Sequence, residues 1–255
     1  MRFVRTRNHD LLLIWMELNK IYNEDCITYM KSLPEKCIDL IIADPPYYGI
    51  LKENWDNQWT TENDYLQWCE EWTKECKRIL KEDGSFYVWG CFGENNLVFA
   101  KYAIIAEKYF NFKNWINWRK EYGFRGKTNF SYKKEELLYF VNDKDNYKFN
   151  YLDIKEPATR SGAKEGDTRV PSNIWEFKYN NVSKERVKGF PCQKPLASAE
   201  RIIKASSNEG DLVYIPFAGS GSEIMSCIIN NRNWIATELN REYIDEIILP
   251  RINNL

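Results

Sequence analysis

The feature that most constrains this chain is a six-residue run, Ile38–Ala43, that ends on Asp44-Pro45-Pro46-Tyr47. Apart from Asp39 the run is apolar, which suits a strand buried on both faces of a parallel sheet. Two consecutive prolines then stop it, because neither offers an N–H to a ladder and both fix φ. Around this run, segments of strand and helix character alternate. Further strands are expected at 20–23, 85–89, 115–118, 137–141, 212–215 and 234–237. Helical spacing covers 27–33, 64–80, 95–109, 196–206, 223–230 and the chain from Arg241 onward. Such alternation predicts an α/β fold built on a doubly wound, mostly parallel sheet.

The pattern fails between about 142 and 190, where Asn, Asp, Lys, Gly and Pro dominate. A stretch that long without elements is uncommon inside a compact domain, so it reads as an insert with its own task. The expected organisation is a catalytic domain formed by 16–141 and 191–255, interrupted by the 142–190 insert. Residues 1–15 read as a dispensable extension. Arg2, Arg5 and Arg7 precede an apolar run at 11–16 that is shorter than a signal-peptide core, and Glu17 follows without a cleavage site. No apolar run approaches the roughly 20 residues of a membrane span, so no membrane partner is expected.

Composition excludes several chemistries. There is one histidine, His9, so Ser-His-Asp or Cys-His catalysis would have to use it, and zinc sites of two or three histidines are ruled out. Seven cysteines with no C-x-x-C spacing read as reduced thiols in a cytoplasmic protein, and no metal site is expected. The 36 Lys+Arg nearly balance the 37 Asp+Glu. That balance hides an uneven distribution: residues 41–100 sum to -6 and residues 113–190 to +6. The basic segment is interleaved with aromatics such as Trp115, Trp118, Phe124 and Phe130, a combination suited to phosphate contacts and base stacking.

Two motifs carry chemistry. The loop Phe217-Ala218-Gly219-Ser220-Gly221-Ser222 lies between an expected strand and an expected helix. Its glycines let backbone approach a ligand, and the helix offers free N–H groups. Ile224 stands where a dinucleotide fingerprint needs its third glycine, so that reading fails. Glu238, at the end of the following strand, is placed to accept from ribose hydroxyls. The second motif is Asp44-Pro45-Pro46-Tyr47, at a strand's C-terminal end, where doubly wound sheets place ligands. A carboxylate and a rigid proline carbonyl are two acceptors matched to the two donors of an exocyclic amino group. Tyr47 adds a flat face for a base.

With these residues the chain resembles the amino-group S-adenosylmethionine-dependent DNA methyltransferases. Asp-Pro-Pro-Tyr is similar to their catalytic tetrapeptide, and Phe-x-Gly-x-Gly to their cofactor loop. The catalytic motif comes first and the cofactor loop last, an order that resembles the beta group. Asn23-Glu24-Asp25-Cys26, Asp83-Gly84-Ser85-Phe86, Phe124-Arg125-Gly126-Lys127 and Gln193-Lys194-Pro195-Leu196 extend the match to roughly residues 19–250. One departure is Ile215-Pro216-Phe217, where the family usually has Asp-Pro-Phe. Others are Ser222 for Thr, and Cys192 before Gln193-Lys194.

The resemblance implies a Rossmann-like methyltransferase sheet of seven strands with one antiparallel hairpin, and direct methyl transfer from S-adenosyl-L-methionine to a flipped base. It implies that Asp44 and the Pro45 carbonyl hold the amino group within the stiff Pro45-Pro46 turn, while Tyr47 stacks on the base. Phe217, Gly219, Ser220, Gly221 and Ser222 would wrap the cofactor, with Asp25 and Cys26 near its adenine. Glu238 and Asn240 would lie at the ribose, and Lys194 at the cofactor carboxylate. Target recognition is expected in 142–190. Arg119, Lys120, Arg125, Lys127, Arg160, Arg169, Lys184 and Arg186 are the candidate DNA contacts. Asp44 favours adenine N6, because cytosine-N4 enzymes more often carry Ser there. The alternatives are cytosine-N4 methylation, an RNA methyltransferase and a catalytically silent DNA-binding subunit. Double-stranded DNA, a cognate restriction endonuclease and a second copy of the chain are the partners this resemblance implies.

Overall fold

The computed structural model describes residues 16–50, 56–92, 97–124, 130–159, 161–177, 184–188, 190 and 192–255. Its centre is an eight-stranded sheet. The strands are β1 (Lys20–Tyr22), β2 (Ile38–Ala43), β3 (Leu80–Gly90), β4 (Asn111–Phe124), β5 (Tyr132–Val141), β8 (Ile174–Glu176), β9 (Leu212–Ile215) and β10 (Asn233–Thr237). They lie in the order β1-β10-β9-β2-β3-β5-β4-β8. All neighbours pair in parallel except β5, which runs antiparallel to both β3 and β4. β6 (Glu156–Pro157) and β7 (Thr168–Arg169) form a separate two-stranded ribbon.

Both faces of the sheet are covered. Along β3, Phe86 and Val88 point to one core and Tyr87 and Trp89 to the other; along β9, Leu212 and Tyr214 alternate with Val213 and Ile215. This period of two, apolar on both sides, is what the continuous apolar runs require. Helices α1 (Cys26–Ser32), α2 (Glu62–Ile79) and α3 (Val98–Glu107) pack on the first face. Helices α4 (Leu196–Ser206) and α5 (Ser222–Ile229) cover the second. Thr61 caps α2 by accepting from the Asp64 N–H, while the Asp64 carboxylate accepts from the Thr61 N–H, a reciprocal box that fixes where the helix begins.

Several expected elements differ. The sheet has eight strands where seven were expected. The additional one, β8, comes from the stretch in which the sequence showed no elements, and its Trp175 is buried in the core. β3 starts at Leu80 rather than 85, directly where α2 ends, so no loop punctuates the change. β4 and β5 are longer than their apolar cores because they pair as a hairpin beyond them. The expected last helix is a π-helical turn, Tyr243–Ile248, running into a short α6 (Leu249–Asn253). Pro250 has no N–H to donate at the start of α6, and its ring disfavours regular α geometry in the preceding turn.

The stretch after β5 is fastened to the domain. The Asn150 side chain donates to the Lys204 and Ser207 carbonyls, and Lys148 reaches Asp39 and Asp211. No helix of the described residues is long and apolar enough to cross a membrane. The 1–15 extension lies outside the described residues.

Candidate active site

Four neighbouring parallel strands, β1, β10, β9 and β2, release their C-terminal ends on the same edge of the sheet. Segments far apart in sequence therefore converge: Asp25 and Cys26 after β1, Glu238 after β10, the glycine loop after β9 and Asp44 after β2. The chain reverses its winding between β9 and β2, which opens a crevice there. A cavity of about 440 Å³ occupies it, walled by Pro46, Trp68, Phe217 and Tyr243 and edged by the carboxylates of Asp25, Asp44 and Glu238.

The glycine loop turns with two left-handed residues, Gly219 (φ 52°) and Gly221 (φ 77°). A Cβ on Gly221 would also lie 3.1 Å from Ile248 of the π-helical turn, so this position needs glycine twice over. Ser222, the first residue of α5, donates to the Lys194 carbonyl at 3.0 Å. Glu238 accepts from the Gly219 N–H and the Asn240 N–H, both at 2.9 Å. Burial raises its carboxyl above the ordinary range, partly opposed by those backbone donors. Asp25 is the N-cap of α1, accepting from the Thr28 N–H at 2.9 Å, and Cys26 is a buried thiol beside it. Phe217 packs on Trp68 and Trp72 at 5.8 and 5.6 Å between ring centres.

At the other end, the Pro46 carbonyl accepts from Tyr65 Oη at 3.0 Å, which pins the proline turn to α2. Asp44 Oδ1 accepts from Tyr47 Oη at 2.9 Å, and Asp44 Oδ2 accepts from Lys194 Nζ at 2.6 Å. Lys194 Nζ also donates to Tyr47 Oη at 3.1 Å and stands 3.2 Å from Glu135 Oε2. Glu135, on β5, forms a second ion pair with Lys120 of β4. Burial pushes the Asp44 carboxyl up and the Lys194 ammonium only partly offsets this, so Asp44 stays above the ordinary carboxylate value. Burial alone would lower Lys194, but the Asp44 and Glu135 carboxylates hold it above the ordinary lysine value. Lys194, expected at the cofactor carboxylate, lines the same cavity, and its ammonium contacts Asp44, Tyr47 and Glu135.

Two buried acids were not anticipated. Glu135 stands at the polar start of an otherwise apolar strand, the only signal it offered. Glu223 lies one residue into α5, where an acidic residue ordinarily reads as a complement to the helix dipole. It is buried beside the cavity, its Oε1 has no hydrogen-bond partner, and burial with the nearby Asp44 charge raises it to about 7. The position usually occupied by Asp in the resembled family, Ile215, is fully buried in the core beneath α5.

The candidate DNA contacts are scattered by comparison. Arg119 lies exposed on β4, paired with Glu176 at 2.8 Å, and Arg169 on β7 pairs with Glu156 at 3.0 Å. Lys120 pairs with Glu135, while Lys184 and Arg186 lie in the loop before Phe190. Arg125, Lys127 and Arg160 fall outside the described residues.

An open doubly wound sheet with an antiparallel hairpin, an acid-proline turn and a glycine loop sharing one crevice defines a methyltransferase of the amino-group type. Residues 38–249 match the N6/N4 family described as DNA methylase. The type II methyltransferase M.HpaI of Haemophilus parainfluenzae is 34% identical over 227 residues, covering 87% of this chain and 70% of that one. The DNA adenine methyltransferase YhdJ of Escherichia coli is 33% identical over 245 residues, covering 89% and 81%. Among solved structures, PvuII DNA methyltransferase (cytosine-N4-specific) superposes with a TM-score of 0.71 at 19% identity, covering 92% of this chain and 89% of that one. The M1.HpyAVI–SAM complex does so with 0.61 at 22%, covering 92% and 99%. This chain belongs to the N6/N4 DNA methylase family, whose methyl donor is S-adenosyl-L-methionine.

The residues present fit that donor. A cavity with aromatic walls, lined also by a carboxylate held by two backbone donors and by a buried acid with one unpartnered oxygen, offers both an apolar bed and polar groups. Phe217, Gly219, Ser220, Asp25 and Glu238 line that cavity.

Proposed function

We propose that this protein is a site-specific DNA methyltransferase that modifies the N6 amino group of adenine, within a restriction–modification system or as a solitary enzyme. The observation that carries this reading is Asp44, ending β2 and facing a cavity shared with the glycine loop. The likeness to YhdJ, a DNA adenine methyltransferase, supports adenine.

When bound, the donor supplies a methyl carbon already activated by its sulfonium, so the protein's task is positioning and charge control. A carboxylate has about four lone-pair sites. Asp44 has used one for Tyr47 and one for Lys194, and its side chain remains 23% exposed toward the cavity. It can therefore accept one amino hydrogen while the Pro45 carbonyl accepts the other, turning the nitrogen lone pair toward the methyl group. As the nitrogen becomes positive, the Asp44 charge stabilises it, and the Asp44 carboxylate receives the departing proton. The burial that raises the Asp44 carboxyl favours that last step. Tyr47 presents its ring to the base, and the stiff Pro45-Pro46 turn sets the distance between ring and carboxylate.

Recognition of a DNA sequence is assigned to 142–190 together with Arg119 and Lys120 of β4, with the remaining basic candidates contacting phosphate. Binding should weaken steeply as salt rises despite the acidic flank. A homodimer and a cognate nuclease remain part of this reading through the family resemblance.

The test is expression in a host without DNA methylation, followed by mapping of modified bases. N6-methyladenine at one short motif is expected. N4-methylcytosine at such a motif would transfer the assignment to the cytosine branch, and an unmodified genome would overturn the reading.

A further inference from the structure

Lys194 is only 2% exposed, and its ammonium stands at the centre of a closed ring of contacts. It donates to Asp44 Oδ2 at 2.6 Å and to Tyr47 Oη at 3.1 Å, and Tyr47 Oη in turn donates to Asp44 Oδ1 at 2.9 Å. A third hydrogen bond goes to the Cys192 carbonyl, 3.4 Å away, and Glu135 Oε2 stands 3.2 Å from the ammonium as an ion-pair partner. The three N–H groups of an ammonium are thereby committed to the protein. A buried lysine held this way is not free to receive a substrate or cofactor group, yet it touches both side chains of the catalytic turn.

We propose that Lys194 is a positioning residue for methyl transfer: it fixes Asp44 and Tyr47 in one geometry, keeps Asp44 ionised inside the cavity, and is itself held by Glu135. This inference rests on the reading of Asp44 as the residue that holds the target amine.

The ring explains why Asp44 can work in a buried place. A carboxylate out of water favours its neutral form, and a neutral Asp44 would accept one fewer hydrogen bond and could not stabilise a positive nitrogen. The opposing cation has to be close, and Lys194 supplies it from a segment 150 residues away in sequence. Glu135 acts against it, as a like charge near Asp44 and a competitor for the same ammonium. Glu223 on α5 adds a third acidic group facing Asp44, and the Cys192 thiol borders the cluster. Lys120 balances Glu135 from the far side.

These opposing roles give variants of opposite sign. Methyl transfer to unmethylated genomic DNA should be followed across the carboxylate range and up to about pH 9 for the full chain and for Lys194→Met, Lys194→Arg, Glu135→Gln and Asp44→Ala. Lys194→Met is expected to lower kcat by about 100-fold. Its KM for S-adenosylmethionine should change less than about threefold, and its acid limb should move to higher pH because Asp44 protonates more readily. Lys194→Arg should restore most of the rate by keeping the charge. Glu135→Gln should move the acid limb to lower pH, a direction that general damage to the fold would not produce. It also keeps the test decisive if Lys194→Met fails to fold.

A raised cofactor KM with unchanged kcat in Lys194→Met would overturn the proposal and return Lys194 to the cofactor. An unshifted acid limb in both Lys194→Met and Glu135→Gln would overturn it as well. If Asp44→Ala abolishes transfer while Lys194→Met does not reduce it, only this inference falls; if neither variant loses activity, the catalytic reading falls with it.

Discussion

The two ends of β2 carry the same pair of side-chain types to different purposes. At the N-terminal end, Asp39 lies buried in the apolar run. Its Oδ1 accepts from Lys148 at 2.7 Å, and its Oδ2 accepts from Lys81 at 2.8 Å and from the Leu212 N–H at 3.0 Å. It joins three strands and a loop at the place where the β2–β3 register shifts. At the C-terminal end, Asp44 has one lysine, one tyrosine and a cavity. Burial raises both carboxyls. At Asp39 the two lysines and the backbone donor overcome it and bring the group below the ordinary value; at Asp44 burial outweighs the single lysine, and the Glu135 charge adds to it. An acid whose hydrogen bonds are all internal stabilises a fold. An acid left short of partners, beside a space, is available to a ligand.

That contrast can be broken in order of effect. Asp44→Ala should reduce methyl transfer by at least about 1,000-fold. Its melting temperature and cofactor affinity should stay near those of the unaltered chain, as scanning calorimetry and titration calorimetry would record. Asp39→Ala should do the reverse. Removing one partner from a buried charged cluster costs about 3 kcal/mol of unfolding free energy, measurable in urea, with little change in the activity of the folded fraction. Since the folded Asp39 carboxyl lies below its ordinary value, its contribution is present at neutral pH and is lost as pH falls through the carboxylate range.

Glu223 provides a third point of comparison, an acid with fewer partners still. Its rise from 4.5 to about 7 means that the folded state holds its proton more tightly than the unfolded state. Stability should therefore decline as pH climbs from about 5 to 7, by up to roughly 3 kcal/mol. Glu223→Gln should remove that slope in urea unfolding followed across the same range. The smallest expected effect is at Lys81, whose side chain is 38% exposed. Lys81→Ala should cost less than about 1 kcal/mol, since Lys148 and the Leu212 N–H keep Asp39 satisfied and the partly exposed Lys81 ammonium is screened by water.

The legible parts of this molecule were the local ones. Alternating apolar runs announced β2, β3 and β9, because a strand covered on both faces writes itself into consecutive residues. Asp44-Pro45-Pro46-Tyr47 and Phe217–Ser222 were visible because each motif completes its chemistry within six residues. What the sequence could not display was partnership across the fold. Lys194 meets Asp44 only because the segment before α4 crosses the end of β2, and Glu135 joins them only because β5 inserts between β3 and β4. β8 escaped notice for a related reason: three residues, of which Trp175 alone is buried, form a strand because β4 offers an edge and not because of their own pattern.

The most direct test of the catalytic role of Asp44 is transfer of labelled methyl from S-adenosylmethionine to unmethylated genomic DNA, with the products digested to nucleosides. The intact chain is expected to yield labelled N6-methyladenine, and Asp44→Ala none, while Asp39→Ala yields it in proportion to its folded fraction. Labelled product from Asp44→Ala at the rate of the intact chain would contradict the assignment of Asp44 as the residue that holds the amine.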